Sequence, residues 1–215
     1  MPEFSRPILS YDDLRKKAAE FLERYHPSGE IPVPIELIAE RDFGIDIVPV
    51  PGLQGVLRSN DFGVVGFITS DLKEIHVDEW VFENRENRYR FTIAHELGHA
   101  VLHRDIYEKA SFDSIEAWKE FINNIPDDDH GWLEWQAYVF AGLILVPPEA
   151  LERVVAEHLQ RVREHALAVG IAVQKVSDLL WDLAMEEAAA EFKVSSEVVE
   201  RRALKDRLRE RHFPS

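Results

Sequence analysis

Apolar residues recur on a helical period over residues 11–26, YDDLRKKAAEFLERYH, where Leu14, Ala18, Phe21, Leu22 and Tyr25 share one face. A Pro- and Gly-rich loop follows, and a short helix is expected near 34–41. The period then changes. GIDIVPVP alternates between Gly and Pro bounds and predicts a strand near 45–49. Three apolar runs, 55–58, 63–69 and 74–77, are separated by the turn-rich RSND and TSDLK and predict a small antiparallel meander. From about residue 84 the period is helical again. NRENRYRFTIAHELGHAVLHR reads as one long helix and SIEAWKEFINNI as a short one. DDDHGWLEWQAYVFAGLILVPP reads as a helix stopped by two prolines, and the next helix runs to Gly170. Two or three short helices finish the chain. Near 148 the strands have ended and Lys/Arg/Glu-rich helices take over. The pattern therefore predicts an α+β domain over 1–148 and a helical segment over 149–215.

The long helix carries the chemistry. On a wheel of about 100° per residue, Phe91, Ala94, Leu97, Gly98, Val101 and Leu102 cluster on a core face of an amphipathic helix, and His95 and His99 sit together on its flank. Their i, i+4 spacing aims both imidazoles at one spot. Glu96 lies roughly 80–100° off that line, where it reaches a water on a metal without being a ligand. A zinc hydrolase needs this set: two fixed neutral imidazoles, an open position, and a carboxylate for the water's proton.

Three residues compete as third ligand. His103 is one turn beyond His99, but three turns of one straight helix diverge too far to close on one ion. Asp105 sits ten residues after His95, where an extended HExxHxxG pattern places its ligand; that pattern needs a glycine at 102, and this chain has Leu102. Glu134 is preferred. It shares a stripe with Ala137, Ala141 and Leu145, and the small residues let its helix pack closely on the first, over Gly98. The acids 127–129 suit that helix's N-terminus.

Composition narrows the choice. Of 215 residues, 46% are hydrophobic and 30% charged, enough for a sizeable core. Forty acidic against 25 basic residues give a net charge of -15, which argues against nonspecific polyanion binding. The absence of cysteine excludes disulfides, thiol catalysis and thiolate metal sites, so any metal is held by His, Asp or Glu. The N-terminus has no secretory apolar region, and the longest apolar run, 137–146, is too short for a bilayer. A cytoplasmic location without membrane contact is expected. Residues 188–202, AAAEFKVSSEVVERR, have the outline of a helix-turn-helix with its turn at Val194 and Ser195, and the plainer expectation is a helical hairpin covering the core. The acids around it argue against direct DNA binding.

The stretch RFTIAHELGHAVLH, together with EWQAYVFAGLILVP, resembles the ImmA/IrrE family of zinc-dependent metallopeptidase-like proteins. The resemblance covers roughly residues 10–205. It implies a zincin-like domain of gluzincin type with a small antiparallel sheet against the active-site helix. It also implies zinc (or manganese by exchange) on His95, His99 and Glu134, with Glu96 as general base. Tyr138 stands where the family commonly has Asn or Asp next to the ligands. Gln136 replaces a frequent acid, leaving Glu134 as the one acid of the motif. His130, Tyr107 and Tyr138 are the candidates for an electrophilic helper.

The activity implied is cleavage of an internal bond in a repressor or antitoxin-like protein, often a helix-turn-helix transcription factor. Some relatives are stress-responsive and some belong to mobile elements. The alternative is a metal-binding regulator or toxin–antitoxin partner that acts by binding a repressor. The strand near 74–77 is expected to take an extended substrate as an added strand.

Overall fold

The computed structural model describes residues 8–56, 65–110, 112, 114–173 and 176–213. Helix α1, Tyr11–Tyr25, begins at a capping box: the Ser10 N–H donates to the Asp13 carboxylate, and the Ser10 hydroxyl accepts from the Asp13 N–H. It buries Leu14, Ala18 and Phe21. Helix α2, Ile35–Leu37, runs into a π-helical turn, Ile38–Asp42. Then come β1 (Asp46–Val50), the short α3 (Leu53–Val56), β2 (Gly66–Ile68) and β3 (Glu74–Asp78).

The sheet is mixed, not an antiparallel meander. Its order is β1-β3-β2, with β1 parallel to β3 and β2 antiparallel to it. β3 is therefore the central strand, paired on both sides, and cannot take a substrate strand as expected. The outer place of β1 fits Pro49, which has no N–H to give and belongs on an edge strand. The predicted run 55–58 begins inside α3, and residues 57–64, including the RSND turn, lie outside the described residues.

The predicted long helix is divided. Asp78 caps α4 (Glu79–Asn84), accepting from the Val81 N–H, so helix starts directly after β3. Arg85 leaves helical geometry, and α5 runs from Glu86 to Leu102. His103 ends it, and α6 (Arg104–Tyr107), α7 (Ile115–Asn124) and α8 (Asp127–Leu145) follow. α8 stops at Val146, before the two prolines, and α9 (Pro148–Ala168) takes Pro148 into its first turn. Helices α10 (Ser177–Phe192), α11 (Ser196–Lys205) and α12 (Leu208–His212) complete an α+β chain that is mostly helical. Among the described residues no helix is long and apolar enough to cross a membrane.

α5 is not one-sided, as its pattern predicted: every residue from Tyr89 to Ala100 is buried. The sheet lies against one side, so close that a Cβ on Gly66 would meet Thr92 Cγ2 at 2.7 Å and the His76 carbonyl at 2.5 Å. α8 lies against the other. A Cβ on Gly98 would come within 3.2 Å of Ala137 Cα and O. Buried arginines tie in the C-terminal helices. Arg90 donates to the Val33 and Lys193 carbonyls, and Arg202 to the Val146 carbonyl, Asp206 and the Tyr11 hydroxyl.

Gly98→Val places branched carbon against backbone that cannot yield. It is expected to cost about 1–3 kcal/mol, lowering Tm by roughly 2–12 °C in thermal unfolding.

Candidate metal centre

His95 and His99 project from successive turns of α5, and their Nε2 atoms stand 3.1 Å apart. Glu134 enters from α8, with Oε2 at 3.3 Å from His95 Nε2 and Oε1 at 3.4 Å from His99 Nε2. An ion bound tetrahedrally at about 2.0–2.2 Å holds its ligand atoms roughly 3.3–3.6 Å apart. The imidazole nitrogens lie close to this range from each other, and each has one Glu134 oxygen within it, so the donor set suits a metal of zinc's size. Among the described residues these three form the group that could hold a metal. The closeness of α5 and α8 at Gly98 and Ala137 is what brings the carboxylate to the imidazoles.

A hydrogen-bond chain sets the tautomer of His99. The Gln136 side-chain oxygen, 3.2 Å from His103 Nε2, accepts only, so His103 carries its proton there. His103 Nδ1 is then an acceptor for His99 Nδ1–H at 3.0 Å, which turns His99 Nε2 toward Glu134 and His95. Burial, helped by repulsion from His99, pulls the His103 pKa down to about 3, so it remains neutral. His95 Nδ1 is buried and finds no hydrogen-bond partner among the described residues. Tyr138, at the position expected to support the ligands, packs its ring at a tilt against Phe91, with Arg201 over it.

The two buried carboxylates differ. Burial drives the Glu96 pKa up, against the pull of His95 and His99. Its Oε2 accepts from the Ile68 N–H of β2 at 3.0 Å. Burial would raise Glu134 as well, but hydrogen bonds to His95 and His99 hold it well below the ordinary carboxylate range. Burial disfavours a charged His95, and Glu134 more than reverses that. The point between them favours positive charge, which a metal ion supplies as well as a proton does.

The other sequence candidates separate cleanly. Asp105 is exposed on α6, away from this group. His103 supports His99 and does not join the triangle. His130 is partly exposed, 3.6 Å from Glu134 Oε1. Tyr107 is buried with its ring 5.2 Å from that of His99. Burial, then the charges of Glu96 and Glu134, push its pKa far up, so it is a permanent O–H donor. The part of Gln136 was missed from sequence. The signal was His103: the one-turn spacing that disqualifies it as a ligand suits a support for His99.

Gln136→Leu removes the acceptor that fixes this chain. Zinc affinity is expected to fall about 10–100-fold with the fold intact, measured by competition with a chromophoric chelator.

A comparison with curated protein sequences finds no significant match. Among solved structures, a Mycobacterium tuberculosis transcriptional regulator is similar, with a TM-score of 0.48 and 18% identity. The likeness covers 87% of this chain and 45% of that one, so the chain spans less than half of the regulator's length. The Peptidase_M78 family, described as the IrrE N-terminal-like domain, matches residues 41–204. That stretch holds both motifs and all of the site just described, and the chain belongs to this family.

Proposed function

We propose that this protein is a zinc-dependent endopeptidase of the HExxH, gluzincin-like type. Its substrate in this reading is a regulatory protein, a repressor or antitoxin-like helix-turn-helix protein, cut at an internal bond. The observation that carries the reading is the triangle of His95, His99 and Glu134 with Glu96 held beside it by the edge of β2.

His95, His99 and Glu134 would hold the ion. When bound, zinc lowers the pKa of water and polarises a carbonyl. Glu96 takes the proton from the attacking water and passes it to the leaving nitrogen. Its burial suits the first step, because a carboxylate of raised pKa takes a proton more readily. The Ile68 N–H fixes Oε2 and leaves Oε1 for the proton. Of the three candidate helpers we assign Tyr107, whose phenol lies beside His99 and stays protonated, as donor to the developing oxyanion. With β3 paired on both sides, the edge for an extended substrate is β2. The β2 edge lying beside Glu96 and the His95, His99 and Glu134 group supports this reading.

One observation favours the second reading, a metal-binding regulator or toxin–antitoxin partner that holds a repressor without cutting it. His95, Glu96, His99 and Glu134 are only 1%, 3%, 2% and 8% exposed.

Elemental analysis is expected to find about one zinc per chain, lost in His99→Ala and Glu134→Ala. Metal retained in Glu134→Ala places the third ligand elsewhere. Glu96→Gln keeps the metal, and its hydrolysis of casein falls by at least ~10²-fold. A biological effect that survives Glu96→Gln establishes the binding regulator.

A further inference from the structure

The burial of the metal group has an identifiable cause. β2 is antiparallel to β3, and Phe67 and Thr69 turn their backbone groups toward it. Alternation then turns Ile68 and Ser70 to the free edge. Neither is available to a substrate. The Ile68 N–H is held by Glu96. The Ser70 N–H donates to the Phe112 carbonyl at 3.2 Å, as a paired strand would. The Ser70 hydroxyl donates to the same carbonyl at 2.7 Å and accepts from the Phe112 N–H at 2.8 Å. Behind Phe112, the rings of Phe121 and Tyr107 continue the contact to His99.

The attachment is specific but shallow. No residue of α7 is fully buried. Trp118 lies on Phe67 at a ring separation of 5.4 Å. Its indole N–H is buried without a hydrogen-bond partner among the described residues, which weakens the closed arrangement. Among the described residues three hydrogen bonds and a few rings hold this segment and one buried donor is unsatisfied, so it opens at lower cost than the core beneath it. Tyr107 precedes this segment on α6, directly after the metal helix, so it stays in the site when the segment leaves.

We propose that Phe112 and α7 form a strap that occupies the substrate's place on the edge of β2. The enzyme is closed until an extended peptide segment of its substrate displaces the strap from Ser70. This rests on the peptidase reading and adds its regulation: the incoming backbone replaces the Phe112 backbone, hydrogen bond for hydrogen bond.

The test uses the full zinc-loaded chain with Trp118→Ala, with Ser70→Ala, and with Val155→Ala as a destabilised control in α9, a helix apart from the strap. Zinc extraction by excess 1,10-phenanthroline, backbone hydrogen exchange, and hydrolysis of a quenched casein-derived peptide are followed. Extraction is expected to speed up at least tenfold in both strap variants. Exchange should rise at Ser70 and across 114–124, and in Trp118→Ala kcat/KM should rise at least tenfold. Val155→Ala should leave extraction at the parent's rate. Equal extraction rates in parent and both strap variants overturn the strap, as does equal acceleration in Val155→Ala. Should Trp118→Ala not fold, Ser70→Ala decides alone, since it removes two of the three bonds without opening a cavity. Faster extraction and exchange with no hydrolysis by any form uphold the strap and refute the peptidase reading.

Discussion

The contact of α5 and α8 at Gly98 and Ala137 determines where every group of the site can stand. A side chain at either position larger than those present would part the helices. Glu134 would then leave the 3.3–3.4 Å range of the two imidazoles. Gln136 would lose His103 by the same movement, and with it the tautomer of His99. A second close approach, Gly66 over Thr92, presses β2 onto the opposite side of α5 and brings the Ile68 N–H to Glu96. Two glycines thus set the spacing of three layers, and the site is assembled from all three.

Electrostatics divides the labour between two carboxylates buried close together. Burial raises the pKa of both. Glu134 escapes because two imidazoles bond it directly. Glu96 receives one backbone N–H and only the more distant influence of the histidines, so it stays raised. In the proposed reaction that difference suits Glu134 to hold charge and Glu96 to carry the proton. His103, kept neutral by its own burial, orients without adding charge.

The same burial that tunes these groups closes them to a peptide, and the strap across β2 reconciles the two. A site open at rest would lose the low dielectric that separates Glu96 from Glu134. The buried arginines belong to the same economy of construction. Arg90 and Arg202 satisfy carbonyls where α10 ends and α8 ends, so the C-terminal helices stand against the metal helices through fully hydrogen-bonded charge.

Much of the site was legible because its parts are local. The i, i+4 spacing of His95 and His99 fixes their convergence in any helix, and the Ala137–Ala141 stripe announces a close-packed partner with Glu134 at its head. The helices of the second half were legible from period and prolines. The sheet was not. Strand order depends on which edges meet across the intervening chain, and adjacent apolar runs read as a meander whether or not the third inserts between the first two. Pro49 was the one local sign of an edge. The relay through Gln136, the break at Arg85 and the exposure of Asp105 also escaped the pattern. What the sequence by itself determined is the helix that carries His95, Glu96 and His99, and the family the chain belongs to. What only the tertiary structure decided is which distant backbone groups, Ile68 for Glu96 and Phe112 for Ser70, complete and close the site. Hydrogen bonds between residues 28 and 42 positions apart leave no periodic trace along a chain.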